Sequence, residues 1–151
     1  MMTFYLKKFN ELSNQELYEI LQLRSEVFVV EQTCIYQDID GKDYKALHLF
    51  GEKEGEIVAY TRLFKAGDYF DNASIGRVAV KQIHRSFGYG HQIIKESINA
   101  IYNNFGISNI EISAQKYLQS FYESHGFKAF GPDYLEDGIP HIAMLLTNEG
   151  I

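Results

Sequence analysis

The sequence predicts an α/β fold of the α+β kind, a mixed and mostly antiparallel sheet flanked by helices, and three observations point to it. Strand-patterned runs gather in the first half of the chain and return near its end. Helix-patterned stripes interrupt them, giving the order strand, helix, several antiparallel strands, then strand, helix, strand, helix, strand, strand. Only Pro132 and Pro140 occur among the 151 residues, and no proline-rich linker or repeat divides them, so residues 1–151 read as a single domain. A chain of this length buries about two-thirds of the surface its unfolded form exposes.

Thr3 to Phe9 is the first strand, and Ser13 with Glu16 makes a capping box that opens a helix. That helix carries Leu17, Ile20, Leu21, Val27 and Phe28 on one stripe. Val29 to Tyr44 keeps neither period and reads as a polar loop, of a length that often carries binding function. Ala46 to Phe50 and Glu56 to Phe64 form a hairpin about Lys53-Glu54-Gly55, and Ile75 to Val80 is a further strand. Ile94, Ile98, Ile101, Tyr102 and Phe105 then recur at helical spacing up to Gly106. Asn109 to Ala114 alternates as a strand. Leu118, Phe121, Tyr122 and His125 stripe a short helix that Gly126 ends, and Phe127 to Phe130 and His141 to Leu146 complete the sheet.

Arg24 lies on the apolar stripe of the first helix, and Glu31 shares that stripe if the helix continues. A buried guanidinium needs a carboxylate, with Glu31, Asp40 and Asp43 as candidates. Both a structural ion network and a substrate-recognition role fit these charges. Asp38-Ile39-Asp40-Gly41-Lys42-Asp43 lacks the closing bidentate Glu of a calcium loop. No close pair of zinc ligands sits on one element, so no metal is expected. Cys34, the single cysteine, reads as a packing residue in a reducing compartment.

Between the Ile75–Val80 strand and the following helix lies Arg85-Ser86-Phe87-Gly88-Tyr89-Gly90. Glycines there let backbone approach a ligand, and the helix start offers unpaired N–H groups to phosphate. No Asp or Glu occurs from Asn72 to Lys95, whereas Arg77, Lys81, Arg85 and Lys95 do. The loop therefore reads as a diphosphate cradle. No Gly-Lys-Ser/Thr closes it as a P-loop, and no acid on a strand end follows as in a dinucleotide fold. A plain helix-capping turn is the simpler alternative.

The net charge of −6 repels polyanions and argues against a nucleic-acid partner. The first residues lack the apolar core of a signal peptide, and no run reaches a membrane-spanning length, so no membrane association and a cytoplasmic location are expected. Tyr- and Phe-rich strands are compatible with a homodimer.

The Val78-Ala79-Val80 strand end, the Arg85-x-x-Gly88-x-Gly90 loop and Leu118-Gln119-Ser120-Phe121-Tyr122-Glu123-Ser124-His125-Gly126-Phe127 together resemble the GNAT acyltransferase superfamily. Val27 to Gln32, Asp40-Gly41-x-Asp43, His48-Leu49, Ser113-Ala114-Gln115 and Tyr134 to His141 resemble, more narrowly, its ElaA-like acetyltransferases. The resemblance implies a GNAT-like N-acetyltransferase domain whose strands splay at a CoA-binding cleft. It implies acetyl-CoA as acyl donor, with its pyrophosphate on the backbone of Phe87 to His91 and its pantetheine arm along Val78, Ala79 and Val80. Arg85, Ser86, Phe87, Gly88, Tyr89, Gly90, His91 and Gln115 would complete the donor site. Ser86, Phe87 and Tyr89 depart from the glycine, basic and aliphatic residues common there.

The implied reaction moves an acetyl group to a small-molecule amine or a peptide amine by direct attack. A lysine-like amine of pKa ~10.4 must lose a proton near neutral pH, at a cost of about 4.6 kcal/mol. The departing thiol, at roughly 8.5, regains its proton downhill by about 2 kcal/mol. A base thus matters more than an acid. Tyr122 stands where the superfamily places the tyrosine that meets the departing sulfur, while its helix stripe equally suits a core residue. His48, His141 and Glu111 are the candidate bases, histidine being the group that titrates in the useful range. The reading from a different class is a non-catalytic acyl-CoA-binding or sensing module.

Overall fold

A computed structural model describes residues 1–148. Its sheet runs in the order β1 (Thr3–Lys8), β2 (Leu47–Lys53), β3 (Glu56–Phe64), β4 (Ala73–Val80), β5 (Ile110–Gln115), β8 (Ile139–Leu146) and β6 (Lys128–Ala129), with β7 (Tyr134–Glu136) also on β8. Every pair is antiparallel except β4 with β5. The helices are α1 (Asn14–Ser25), α2 (Tyr89–Phe105) and α3 (Gln119–Glu123). The expected hairpin, glycine loop and closing strands are all present, with bounds shifted by up to three residues. Tyr134–Glu136 was not legible as a strand. Its residues are all exposed, so no apolar alternation marks it.

Ser13 caps α1 as its pattern predicts, its Oγ accepting from Glu16 N at 3.0 Å while Glu16 returns a bond to Ser13 N at 2.8 Å. The helix then widens into a π-turn over Glu26–Val30, closed by Glu31 N donating to Glu26 O at 3.0 Å. A π-turn uses an i→i+5 bond where an α-turn uses i→i+4, so later residues rotate off the stripe. Glu31 consequently does not meet Arg24.

Two apolar clusters pack the helices on the sheet. Ile93, Ile94 and Ile101 of α2 join Val58, Leu63, Ile75, Ile110 and Met144, and Ile20 and Leu23 of α1 with Val27 join Phe50, Ile57 and Tyr60. Two irregularities then shape the site. β4 pairs with β5 only at Ala73↔Ile110 and Ser74↔Glu111, so the strands part beyond Ser74. Opposite Tyr60 to Arg62 of β3, β4 carries an extra residue, with Tyr60↔Ala79 but Arg62↔Gly76. This bulge holds Arg77 at φ +50, a backbone region costly for a side-chain-bearing residue.

Candidate active site

Parting β4 from β5 opens a cleft of about 750 Å³. One end is walled by Val78 and Val80, by Arg85, Ser86 and Gly88, and by Tyr89, Gly90 and His91 at the start of α2. Gly88 caps α2 at φ +77 and accepts from Gln92 N at 3.1 Å. The N–H groups of the first turn after it have no partner within the helix. The two glycines serve differently. Gly88 answers a left-handed backbone, whereas a Cβ on Gly90 would only touch the Phe121 ring at 3.4 Å.

The sequence-derived donor residues do not all face this space. Ala79 is buried in the α1 cluster, so only its backbone can serve a ligand. Phe87 is 60% exposed and lies outside the cleft wall, with Lys53 Nζ 5.4 Å above its ring. Gln115 lines the opposite wall with Ile112 and Ser113. Arg85 reaches across the mouth, its Nε donating to Val80 O at 3.0 Å and its Nη2 2.8 Å from Glu31 Oε2.

Tyr122 of α3 projects into the cleft beside Phe121 and Leu118. Burial first, then neighbouring Tyr117, pushes its phenol above the usual 10, so at neutral pH it is an O–H donor. Proton transfer to a thiolate is made harder by that shift, and donation of a hydrogen bond is what remains.

The four catalytic candidates are not brought together. His48 is fully buried and away from the cleft. Its Nε2 donates to Asp43 O at 2.9 Å, so its Nδ1 accepts from the Tyr60 hydroxyl at 2.6 Å. Neither nitrogen has a free lone pair, and burial lowers its pKa further; the expectation of His48 as a base is corrected accordingly. Glu111 sits where β4 and β5 are still paired and accepts from Asn72 Nδ2 at 3.2 Å, also outside the cleft.

His141 does line the cleft. Its Nδ1 lies 2.7 Å from Ile139 O. A carbonyl can only accept, so Nδ1 carries the proton and Nε2 offers the lone pair. Nε2 is 3.4 Å from Glu136 Oε2, and Glu136 Oε1 accepts from Ser113 Oγ at 3.3 Å. Ser113 in turn hydrogen-bonds the Tyr134 hydroxyl. A bare Nε2 and a carboxylate are both acceptors, so Glu136 pairs with His141 only once the imidazolium forms; it lies on the strand that carried no pattern, which is why the spacing of residues could not single it out.

Arg24 has carboxylate partners, but only one was anticipated. Its Nε lies 2.9 Å from Asp38 and its Nη1 2.7 Å from Asp43. Arg62 pairs with Asp40 at 2.8 Å and Asp43 at 3.0 Å, and Arg77 Nε with Asp38 at 2.7 Å. Burial would raise the Asp40 carboxyl, yet Arg62, then the Lys42 N–H, then Arg77 bring it down to about 2. These charges pin the 31–43 loop to the β4 bulge and leave the three acids no role as cation ligands. Among the described residues no group of three His, Cys, Asp or Glu is placed to hold a metal, and no helix is long and apolar enough to cross a membrane.

A parted β4 and β5, a bulge, and a glycine cradle at the head of α2 accord with the family whose profile, an acetyltransferase (GNAT) domain, matches residues 9–148. The chain belongs to that GNAT family. It is 43% identical over 137 residues to protein ElaA of Escherichia coli strain K12, covering 89% of this chain and 90% of that one. The crystal structure of E. coli ElaA superposes with a TM-score of 0.90 over 96% of this chain and 99% of that one, at 40% identity. An acyl-CoA N-acyltransferase from Pseudomonas aeruginosa gives 0.91, with 39% identity and coverage of 96% and 99%. A GNAT acetyltransferase from Elizabethkingia anophelis, solved with acetyl-CoA bound, shares the fold at a TM-score of 0.67 and 17% identity, covering 97% of each chain.

Proposed function

We propose that the protein transfers an acetyl group from acetyl-CoA to a primary amine. The observation that carries this reading is the cleft itself, with the glycine loop and the start of α2 at one end, and with Tyr122, Glu136 and His141 in its wall. Backbone N–H groups of Tyr89 to His91 would hold the pyrophosphate at the positive end of α2. The free backbone edge of Val78 and Val80 would pair with the pantetheine amides, Arg85 giving up Val80 O as the arm enters.

The amine nitrogen attacks the thioester carbonyl. An N–C bond forms, the C–S bond breaks, and CoA leaves as a thiolate. His141 Nε2 takes the proton that the amine sheds, with the Glu136 carboxylate stabilising the imidazolium. Tyr122 donates a hydrogen bond to the departing sulfur, which takes its final proton from solvent. The whole occurs within one domain spanning residues 1–151 in the protein's own compartment, for which the cytoplasm is our assignment.

The test mixes purified protein with acetyl-CoA and a panel of amines and reads free thiol, with CoA affinity measured by calorimetry. Tyr122→Phe is expected to lower kcat roughly 10- to 100-fold with CoA affinity nearly unchanged. Equal losses of turnover and affinity would place Tyr122 in packing. CoA binding with no thiol release for any amine would make this an acyl-CoA-binding module instead.

A further inference from the structure

We infer that Ser113 and Tyr134 are positioning residues for the acyl transfer, holding the Glu136 carboxylate where the His141 imidazolium forms. The inference rests on the acyltransferase reading and adds to it the residues that keep the base and its counter-charge in register. Three strands supply the group. Ser113 comes from β5, Tyr134 and Glu136 from β7, and His141 from β8, with Tyr134 opposite His141 and Ser113 opposite Ala143.

The direction of each bond follows from the group that can only accept. An ionised carboxylate has no proton to give, so Ser113 Oγ donates to Glu136 Oε1 at 3.3 Å. That donation uses the one hydroxyl proton of serine. At its contact with Tyr134, Ser113 therefore accepts and the phenol donates. Burial pushes the Tyr134 phenol up more than its Ser113 bond brings it down, so it keeps its proton at neutral pH. Tyr134 also touches the base, its ring stacked on that of His141 with centroids 6.1 Å apart and planes at 25°.

Glu136 needs such a hold and His141 does not. The imidazole side chain is 8% exposed and its Nδ1–H is bonded to Ile139 O, whereas the glutamate side chain is 50% exposed. A half-exposed glutamate is free to turn into solvent, and ordering it costs rotamer freedom. With Oε1 tied to Ser113, Oε2 stands 3.4 Å from His141 Nε2. When the attacking amine gives up its proton, its N–H bond breaks and an Nε2–H bond forms, which turns Nε2 into a donor. The carboxylate is then already in place to accept, and no side chain has to reorganise as charge develops. Ser113 and Tyr134 keep their own protons throughout.

The experiment is a double-mutant cycle on kcat, read by thiol release with acetyl-CoA and the fastest amine of the panel. Ser113→Ala is expected to lower kcat about fivefold, the effect of one charged hydrogen bond at a half-exposed group. Tyr134→Phe should lower it about threefold, and Ser113→Thr, which keeps the hydroxyl, should stay within about twofold of the native protein. In a Glu136→Ala background Ser113→Ala should cost nothing further, because its partner is gone. A native kcat in Ser113→Ala, or an undiminished loss in the Glu136→Ala background, overturns the inference. If no amine is turned over, the acyltransferase reading has failed, and heteronuclear NMR of the His141 ring decides the positioning by itself. At about pH 5, between the ordinary carboxylate and imidazole values, a ring Nε2–H held by Glu136 is expected to give a signal that Ser113→Ala and Glu136→Ala both lose to exchange with water. A signal that survives Ser113→Ala, or that the native protein lacks, rejects the inference.

Discussion

Replacing Asp43 by Asn tests whether the charge network is what holds the 31–43 loop against the sheet. Asp43 Oδ1 accepts from Arg24 Nη1 at 2.7 Å and from Arg62 Nη1 at 3.0 Å, and both arginine side chains are about 1% exposed. Asparagine keeps the shape and one acceptor oxygen but removes the charge. A charge-assisted hydrogen bond is worth about 1.5–3 kcal/mol, roughly twice a neutral one. Halving two of them costs about 1.5–3 kcal/mol, and the network is left with a net positive charge. The expected loss is about 3 kcal/mol, the low end for a broken buried pair, or a fall in Tm of roughly 6–12 °C for a chain of this size.

Thermal and urea unfolding of Asp43→Asn and the native protein at pH 7 measure that loss, and an acid series checks its cause. Burial would raise the Asp43 carboxyl, but Arg24 and then Arg62 outweigh it and hold it below the usual range. A carboxyl depressed in the folded state contributes stability that is complete above its unfolded pKa of ~3.9 and fades as pH falls through the folded value. With the neighbouring Asp40 brought to about 2, the native protein should lose stability from about pH 4 downward, and the gap to Asp43→Asn should narrow with it. A loss below about 1 kcal/mol at pH 7, or a gap that stays constant through the acid range, would refute the argument.

Two further outcomes follow from the same structure. His48→Gln should cost about 1–3 kcal/mol, because the Tyr60 hydroxyl and Asp43 carbonyl lose their partner, while turnover per folded molecule holds. Since burial depresses the His48 pKa, its neutral form favours folding above ~6.5 and that contribution fades below; an unfolding series from pH 7.5 to 5 should show the slope in the native protein and a shallower one in the variant. Gly88→Ala should weaken CoA binding and lower stability by about 1–2 kcal/mol, because φ is +77 with no atom within 4 Å of the new methyl and the cost is purely conformational. Gly90→Ala, whose methyl only touches Phe121, should bind CoA almost as the native protein does; calorimetry on the pair separates backbone from contact.

The glycine loop and the helix bearing Tyr122 were legible because backbone geometry writes itself locally. Gly88 and Gly90 beside Arg85, and the Tyr122 stripe before Gly126, are short-range patterns that survive without any knowledge of neighbours. The arrangement of the facing wall was not legible. His48 and His141 are the same residue type on strands of similar pattern, yet one spends both nitrogens inside the core and the other keeps Nε2 toward the cleft. Glu136 lies on a strand whose residues are all exposed. Helical spacing paired Arg24 with Glu31, and the π-turn between them undid that pairing.

By itself the sequence determined most of the elements, their order, the opening cap of α1 and the glycine loop before α2, since each depends on residues within a few positions of one another. Tertiary structure alone decided where β4 leaves β5, which acids meet which arginines, and which histidine lines the cleft. Those outcomes depend on contacts between segments far apart in the chain, such as Glu31 with Arg85 and Ser113 with Glu136, where a single extra residue in a turn or bulge redirects a side chain from one partner to another.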